Sequence, residues 1–211
     1  MKTIALFGGS GRTGQEFLTQ ALDKGYAVKA LVRTPAKVEQ RSDRLEIIEG
    51  DVLNLADVKR TVQGTDIVLS LFGHVKGSPE WLQTDGTKNI LDAMQAAGVD
   101  RIISLSGGGL PYPEKDEPKF MDKAIRTIMK IAVPKVLNDA IKHAGVLEES
   151  GKKWTVVRGP RLTDGEHTGE YRVGWVGVNA GTSISRADLA DFLVKQVDSE
   201  QFNFQMPFVS K

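Results

Sequence analysis

Apolar runs of strand length alternate with segments of helical period along almost the whole chain. Alternating or continuously apolar stretches predict strands over residues 3–7, 26–32, 45–49, 67–71, 101–105, 154–158 and 203–208. Apolar positions three and four apart predict helices over 13–23, 35–39, 55–61, 81–97, 119–149 and 186–197. Local chemistry marks several boundaries. Thr34 before Pro35 reads as N-cap and first helical residue, Asn54 caps the third helix, and Ser185 with Asp188 forms a capping-box-like pair. Gly25 and Gly98 stand where helices end. Pro134 predicts that the longest helical segment is split or sharply bent, because proline lacks the N–H and clashes with the preceding turn. This alternation implies an α/β fold, a doubly wound parallel sheet with helices on both faces and right-handed crossovers. Ligands then bind at the carboxyl ends of the strands.

The 211 residues suit one well-buried domain, here residues 1–211, and leave no room for a separate catalytic domain of ordinary size. A net charge of +1 supports no nucleic-acid partner. The chain has no cysteine, which removes disulfides, thiolate nucleophiles and cysteine-based metal sites and fits a reducing compartment. His74, His143 and His167 lack metal-like spacing, so no metal is expected. With strand one so near the N-terminus and no stretch of membrane-spanning length, the expectation is a cytoplasmic protein with no membrane partner.

Chemistry concentrates first at residues 8–14. Gly9, Gly11 and Gly14 satisfy G-x-G-x-x-G, while Gly8, Gly11 and Gly14 satisfy the wider G-x-x-G-x-x-G. A strand precedes the glycines and a helix follows, so the turn reads as a diphosphate cradle built from Gly8, Gly9, Ser10, Gly11, Arg12, Thr13 and Gly14. At the end of strand two, where NAD-preferring sites usually carry an acid, stands Arg33. Arg33, helped by Arg12 and more weakly by Lys37, suits a 2′-phosphate, which favours NADP(H) over NAD(H) as cofactor. Asp51 either receives the adenine amino group, with Val52 lining the ring, or caps the next turn. Leu71, Phe72 and Gly73 end strand four, where Gly73 lets the cofactor ribose pass closely; His74 reads as an exposed loop residue.

The ordered motifs ALFGGSGRTG over 5–14, EGDV over 49–52, DGTKNI over 85–90, GVDRII over 98–103, LEESGKKWTVVR over 147–158 and ISRADLA over 184–190 span nearly the whole chain. Together they resemble the atypical short-chain dehydrogenases/reductases, specifically the NAD(P)H-binding group that includes NmrA-like proteins and biliverdin-IXβ and flavin reductases. That resemblance implies a single Rossmann-type domain whose nicotinamide is approached from strands four, five and six. It implies roles for Ser104 and Ser106 in the region of the superfamily's catalytic serine, with Ser106, nearer the strand end, as the catalytic candidate. It also sets Pro160 along the nicotinamide amide.

One departure is informative. A proton-relay reductase shows Tyr-x-x-x-Lys, which places phenol and ammonium one turn apart on a helix. This chain has no such pair: Lys115 follows Tyr112 three positions on, within a proline-containing loop, and His143 reads as the flank of an amphipathic helix. The expected activity is therefore NADPH-dependent hydride transfer to a flat conjugated acceptor, a flavin, quinone or bilin-like molecule that takes its proton from water. Phe72, Leu110, Tyr112, Phe120 and Met121 are the candidate acceptor wall, with residues 107–135 as a substrate lid. A non-catalytic NADP(H)-binding redox sensor with a protein partner shares the same cradle. A sugar-nucleotide epimerase or dehydratase is disfavoured by the small C-terminal segment and the absent dyad.

Overall fold

The computed structural model describes residues 1–211. Strands β1 (Thr3–Phe7), β2 (Ala27–Val32), β3 (Leu45–Glu49), β4 (Ile67–Ser70), β5 (Arg101–Gly107) and β6 (Lys153–Gly159) alternate with helices α1 (Arg12–Asp23), α2 (Leu55–Val62), α3 (Leu82–Ala97), α4 (Phe120–Ala132) and α5 (Pro134–Glu148). Short strands β7 (Arg161–Thr163), β8 (Arg172–Gly174) and β9 (Ser183–Ser185), helix α6 (Arg186–Gln196) and strand β10 (Phe208–Ser210) complete the chain. The main sheet runs β3-β2-β1-β4-β5-β6-β10-β8, parallel except for β8, which pairs antiparallel with β10; β7 and β9 form a separate parallel ribbon. The order reverses between β1 and β4, which opens a crevice at the carboxyl ends of the strands.

Alternation along β1 divides the interior. Ile4 and Leu6 face one layer, closed by Phe17 and Leu18 of α1 and Leu189 and Leu193 of α6. Ala5 and Phe7 face the other, closed by Val58 of α2, Ile90 and Met94 of α3 and Leu147 of α5. Asn54, Ser185 and Gly98 cap where the sequence places them, whereas Thr34 makes no side-chain cap and the Asp188 carboxylate accepts from Thr168 and Gly169 rather than from the Ser185 N–H. Asn54 accepts from the Ala56 N–H at 2.9 Å, Ser185 accepts from the Asp188 N–H at 3.0 Å, and Gly98 ends α3 in the left-handed region at φ 72°.

Two expectations are corrected, and the split expected at Pro134 is found. The segment 35–39 closes only a 3-10 turn over Pro35–Lys37, too short to propagate a helix. The last strand begins at Phe208 rather than 203, because residues 201–204 turn and Phe204 takes φ 61°. The helical segment 119–149 breaks into α4 and α5 at Val133, where Pro134 opens α5.

Candidate functional site

The turn from β1 to α1 is shaped by three glycines. Gly8 adopts φ 90°, and a Cβ there would lie 2.6 Å from the Phe72 backbone nitrogen. Its carbonyl accepts the Gly11 N–H at 3.0 Å, and a Cβ on Gly14 would collide with that carbonyl. The nearest neighbour of a Cβ on Gly9 is only the Leu6 side chain, at 3.1 Å. The wider spacing, Gly8-x-x-Gly11-x-x-Gly14, therefore carries the geometry. Gly11 caps α1 with no side-chain bond, so the N–H groups of Arg12, Thr13 and Gly14 have no intrahelical acceptor. A bare turn, a free helix terminus and a Gly8 that tolerates no side chain fit a dinucleotide diphosphate.

Beside the turn lies a cleft of about 100 Å³ that gathers Gly8 and Ser10 after β1, Arg33 after β2, Asp51 and Val52 after β3, and Phe72 and Gly73 after β4. Asp51 lines this cleft while its carboxylate accepts the Leu53 N–H at 2.9 Å, which caps the turn. Three sequence candidates depart. Arg12 points away from Arg33 to Asp164, at 3.2 Å, where Arg186 also pairs with that carboxylate; both arginines border a separate hollow of about 370 Å³. Thr13 is buried beneath the turn, so only its backbone is available. Leu71 packs on the α1–α6 layer and does not line the cleft.

A second cavity, about 400 Å³, opens at the carboxyl ends of β5 and β6. Its floor is backbone from Gly107 to Gly109 and from Gly159 to Arg161; Leu110, Ile125, Met129 and Phe208 supply apolar walls. Leu110 and Pro160 both line this cavity, and neither lines the cleft beside the β1–α1 turn. Phe72 belongs to the nucleotide cleft, with its ring against Gly86. Tyr112 is buried against Trp175, ring centroids 5.8 Å apart, and lines neither cavity. Phe120 and Met121 project into solvent, 83% and 65% exposed, because the helical phase of α4 turns Asp122, Ile125, Arg126 and Met129 to the cavity instead. Arg126 Nε is buried without a protein partner.

Two buried polar assemblies hold these walls. Arg158, fully buried on β6, makes a two-point contact with Asp116 at 2.7 and 2.8 Å. It also donates to the Met206 and Leu110 carbonyls, while Asp116 accepts the backbone N–H groups of Tyr112 and Val176. Behind β5, Ser104 shares a 3.0 Å hydrogen bond with His143 of α5, so Ser104 faces the interior and neither cavity. Burial pushes the His143 imidazole down to about 4, and it is neutral. One turn earlier, Asp139 accepts from the Thr84 hydroxyl, the backbone N–H groups of Gln83 and Thr84, and His74 Nε2 at 2.7 Å. Burial works to raise that carboxyl, yet these donors outweigh it and hold it below the ordinary value. His74 is therefore a largely buried loop residue tied to α5 rather than an exposed one, and His143 lies in the core rather than on the flank of its helix. Ser106, two residues along β5 and so on the same face of the sheet, is buried, keeps a hydroxyl with no protein partner and lines neither cavity.

Sequence reasoning missed Asp116, Arg126, Asp139 and Met129. Asp139-x-x-x-His143 sits at helical spacing opposite the serines of β5, a signal legible in principle; Asp116 lies in a loop with no pattern around it.

Comparison with known proteins meets this geometry. A family model described as NAD(P)H-binding matches residues 8–200. YwnB, an uncharacterized protein of Bacillus subtilis, is 26% identical over 202 residues, 92% of each chain. A short-chain dehydrogenase/reductase from Veillonella parvula, solved in complex with NADP, superposes with a TM-score of 0.78 at 17% identity, over 100% of this chain and 94% of that one. ChuY of Escherichia coli O157:H7, described as an anaerobillin reductase, superposes with a TM-score of 0.77 at 19% identity, over 99% and 96%. At such identities the structural likeness is one of fold.

Proposed function

The chain belongs to the NAD(P)H-binding family, and from that premise we propose that it is an NADPH-dependent reductase delivering hydride to a flat conjugated acceptor. One observation carries the reading: the cavity of about 400 Å³ beside the nucleotide cleft is lined without a single tyrosine or lysine. A site with no phenol–ammonium relay suits an acceptor that draws its proton from water, as flavins, quinones and bilins do.

The bound cofactor supplies the hydride. This chain's residues bind, orient and exclude water. The open N–H groups at the start of α1 hold the diphosphate, and Arg33 meets a 2′-phosphate. Leu110, Ile125, Met129 and Phe208 keep the acceptor's plane in a dry slot. Arg126 and Arg161 offer guanidinium groups to an acidic substituent on the acceptor. Ser106 is the catalytic candidate by its place near the carboxyl end of β5 and its unpartnered hydroxyl, although that hydroxyl is buried and lines neither cavity.

Steady-state oxidation of NADPH with FMN, a benzoquinone and a bilin, assayed in parallel, tests the proposal. Turnover with at least one is expected. Tight NADPH binding with turnover on none would replace the reductase by a redox sensor.

A further inference from the structure

Helix α4 has no buried residue, and its outward face is apolar. Phe120 and Ile131, separated by about three helical turns and so nearly in line, are 83% and 78% exposed. Met121 and Ile128 extend the apolar band to one side at 65% and 63% exposure, and Ile125, 51% exposed, sits where the band meets the cavity. On the other side Lys123 and Lys130 run one above the other, with Lys119 at the start of the helix; all three are exposed. The helix therefore has three sectors. Asp122, Arg126 and Met129 face the acceptor cavity, an apolar band faces outward, and a lysine column borders that band.

We propose that this face seats the protein on an anionic lipid surface, with Phe120, Ile128 and Ile131 entering the acyl boundary and Lys119, Lys123 and Lys130 meeting lipid phosphates. Charge decides the occupant. The whole chain has a formal net charge of +1, whereas α4 and its first flanking residue carry Lys119, Lys123, Arg126 and Lys130 against Asp122 alone. A second copy docked antiparallel, about a two-fold axis perpendicular to this helix, would set the lysine column beside its own image, a like-charge contact. A surface of negative headgroups over hydrocarbon satisfies both sectors at once, because lysine stems lie along apolar surface while their ammonium groups stay in water. Such a helix lies in the plane of the surface and needs no spanning length, so it is compatible with the absence of any helix long and apolar enough to cross a membrane.

Flotation of the whole protein with vesicles tests this. One set is pure phosphatidylcholine; the other contains about one third phosphatidylserine. Binding to the second set alone is expected, at least tenfold above the first, and it should fall steeply as salt rises to about 0.5 M. Ile128→Glu with Ile131→Glu should abolish binding and leave the melting temperature and NADPH affinity unchanged, since both side chains are exposed and line neither cavity. No binding to either vesicle at low salt would overturn the proposal. So would binding that the double variant leaves intact, or a dimer in solution that the double variant dissolves.

Discussion

Arg33 is the one cationic side chain lining the nucleotide cleft, since Arg12 is engaged with Asp164 elsewhere. A charge-assisted bond to a 2′-phosphate contributes about 1.5–3 kcal/mol. Arg33→Ala should therefore weaken NADPH binding by about tenfold to a hundredfold and leave NADH nearly unchanged, as measured by fluorescence titration with each nucleotide. Equal losses would place Arg33 outside phosphate recognition. A second residue-scale expectation concerns His143, whose pKa falls from the ordinary 6.5 to about 4 on burial. Its folded value lies below its unfolded one, so the unfolded chain takes up the proton first. Stability is complete above pH 6.5 and drains as pH falls toward 4, by on the order of 3 kcal/mol. Asp139, also held low, adds its own loss only below its ordinary 3.8. Melting temperatures across that window should fall for the native chain and vary much less for His143→Gln.

At the scale of elements, Arg158 and Asp116 join β6 to the loop that walls the cavity at the ends of β5 and β6. Removing the carboxylate strands a guanidinium that cannot lose its charge, so Asp116→Ala should cost about 3–5 kcal/mol in denaturant unfolding. A smaller loss than about 1 kcal/mol would show that water reaches Arg158. The main elements were legible in the sequence because burial on both sheet faces writes long apolar strands, as in Ile67–Ser70, where every residue is buried. Strands β7, β8 and β9 were not, since three residues carry no period. The cleft beside the β1–α1 turn was legible through Gly8, Arg33 and Asp51, each just after a strand whose place the topology fixes. The acceptor wall was less so. Phe120 and Met121 fall on α4 as expected, but only the helix's rotation, set by Met129 packing near Gly109, decides which side chains turn inward. His74 with Asp139 joins residues far apart in sequence, a pairing that no local pattern announces.

For the molecule as a whole, the cradle draws on the ends of β1 through β4, so a bound nucleotide ties together elements from both helical layers. A ligand at a hundred times its dissociation constant adds about 2.7 kcal/mol to stability. For a chain of this length that corresponds to a rise in melting temperature of about 5–10 °C. Differential scanning fluorimetry with NADPH should show it, and Gly8→Val, which blocks the turn, should eliminate the rise.

The charged pair under β6 makes one side of the larger cavity rigid and leaves the other free to answer a guest. Its floor is anchored from below by Arg158, whereas its roof, α4, sinks no side chain into the interior and meets α5 at Pro134, whose ring nitrogen bears no hydrogen to bond back into α4. The entropic cost of gripping an acceptor should thus fall on one helix. Deuterium uptake should slow over residues 119–133 when the slot fills, and peptides from β5 and β6 should exchange at the same pace with or without it.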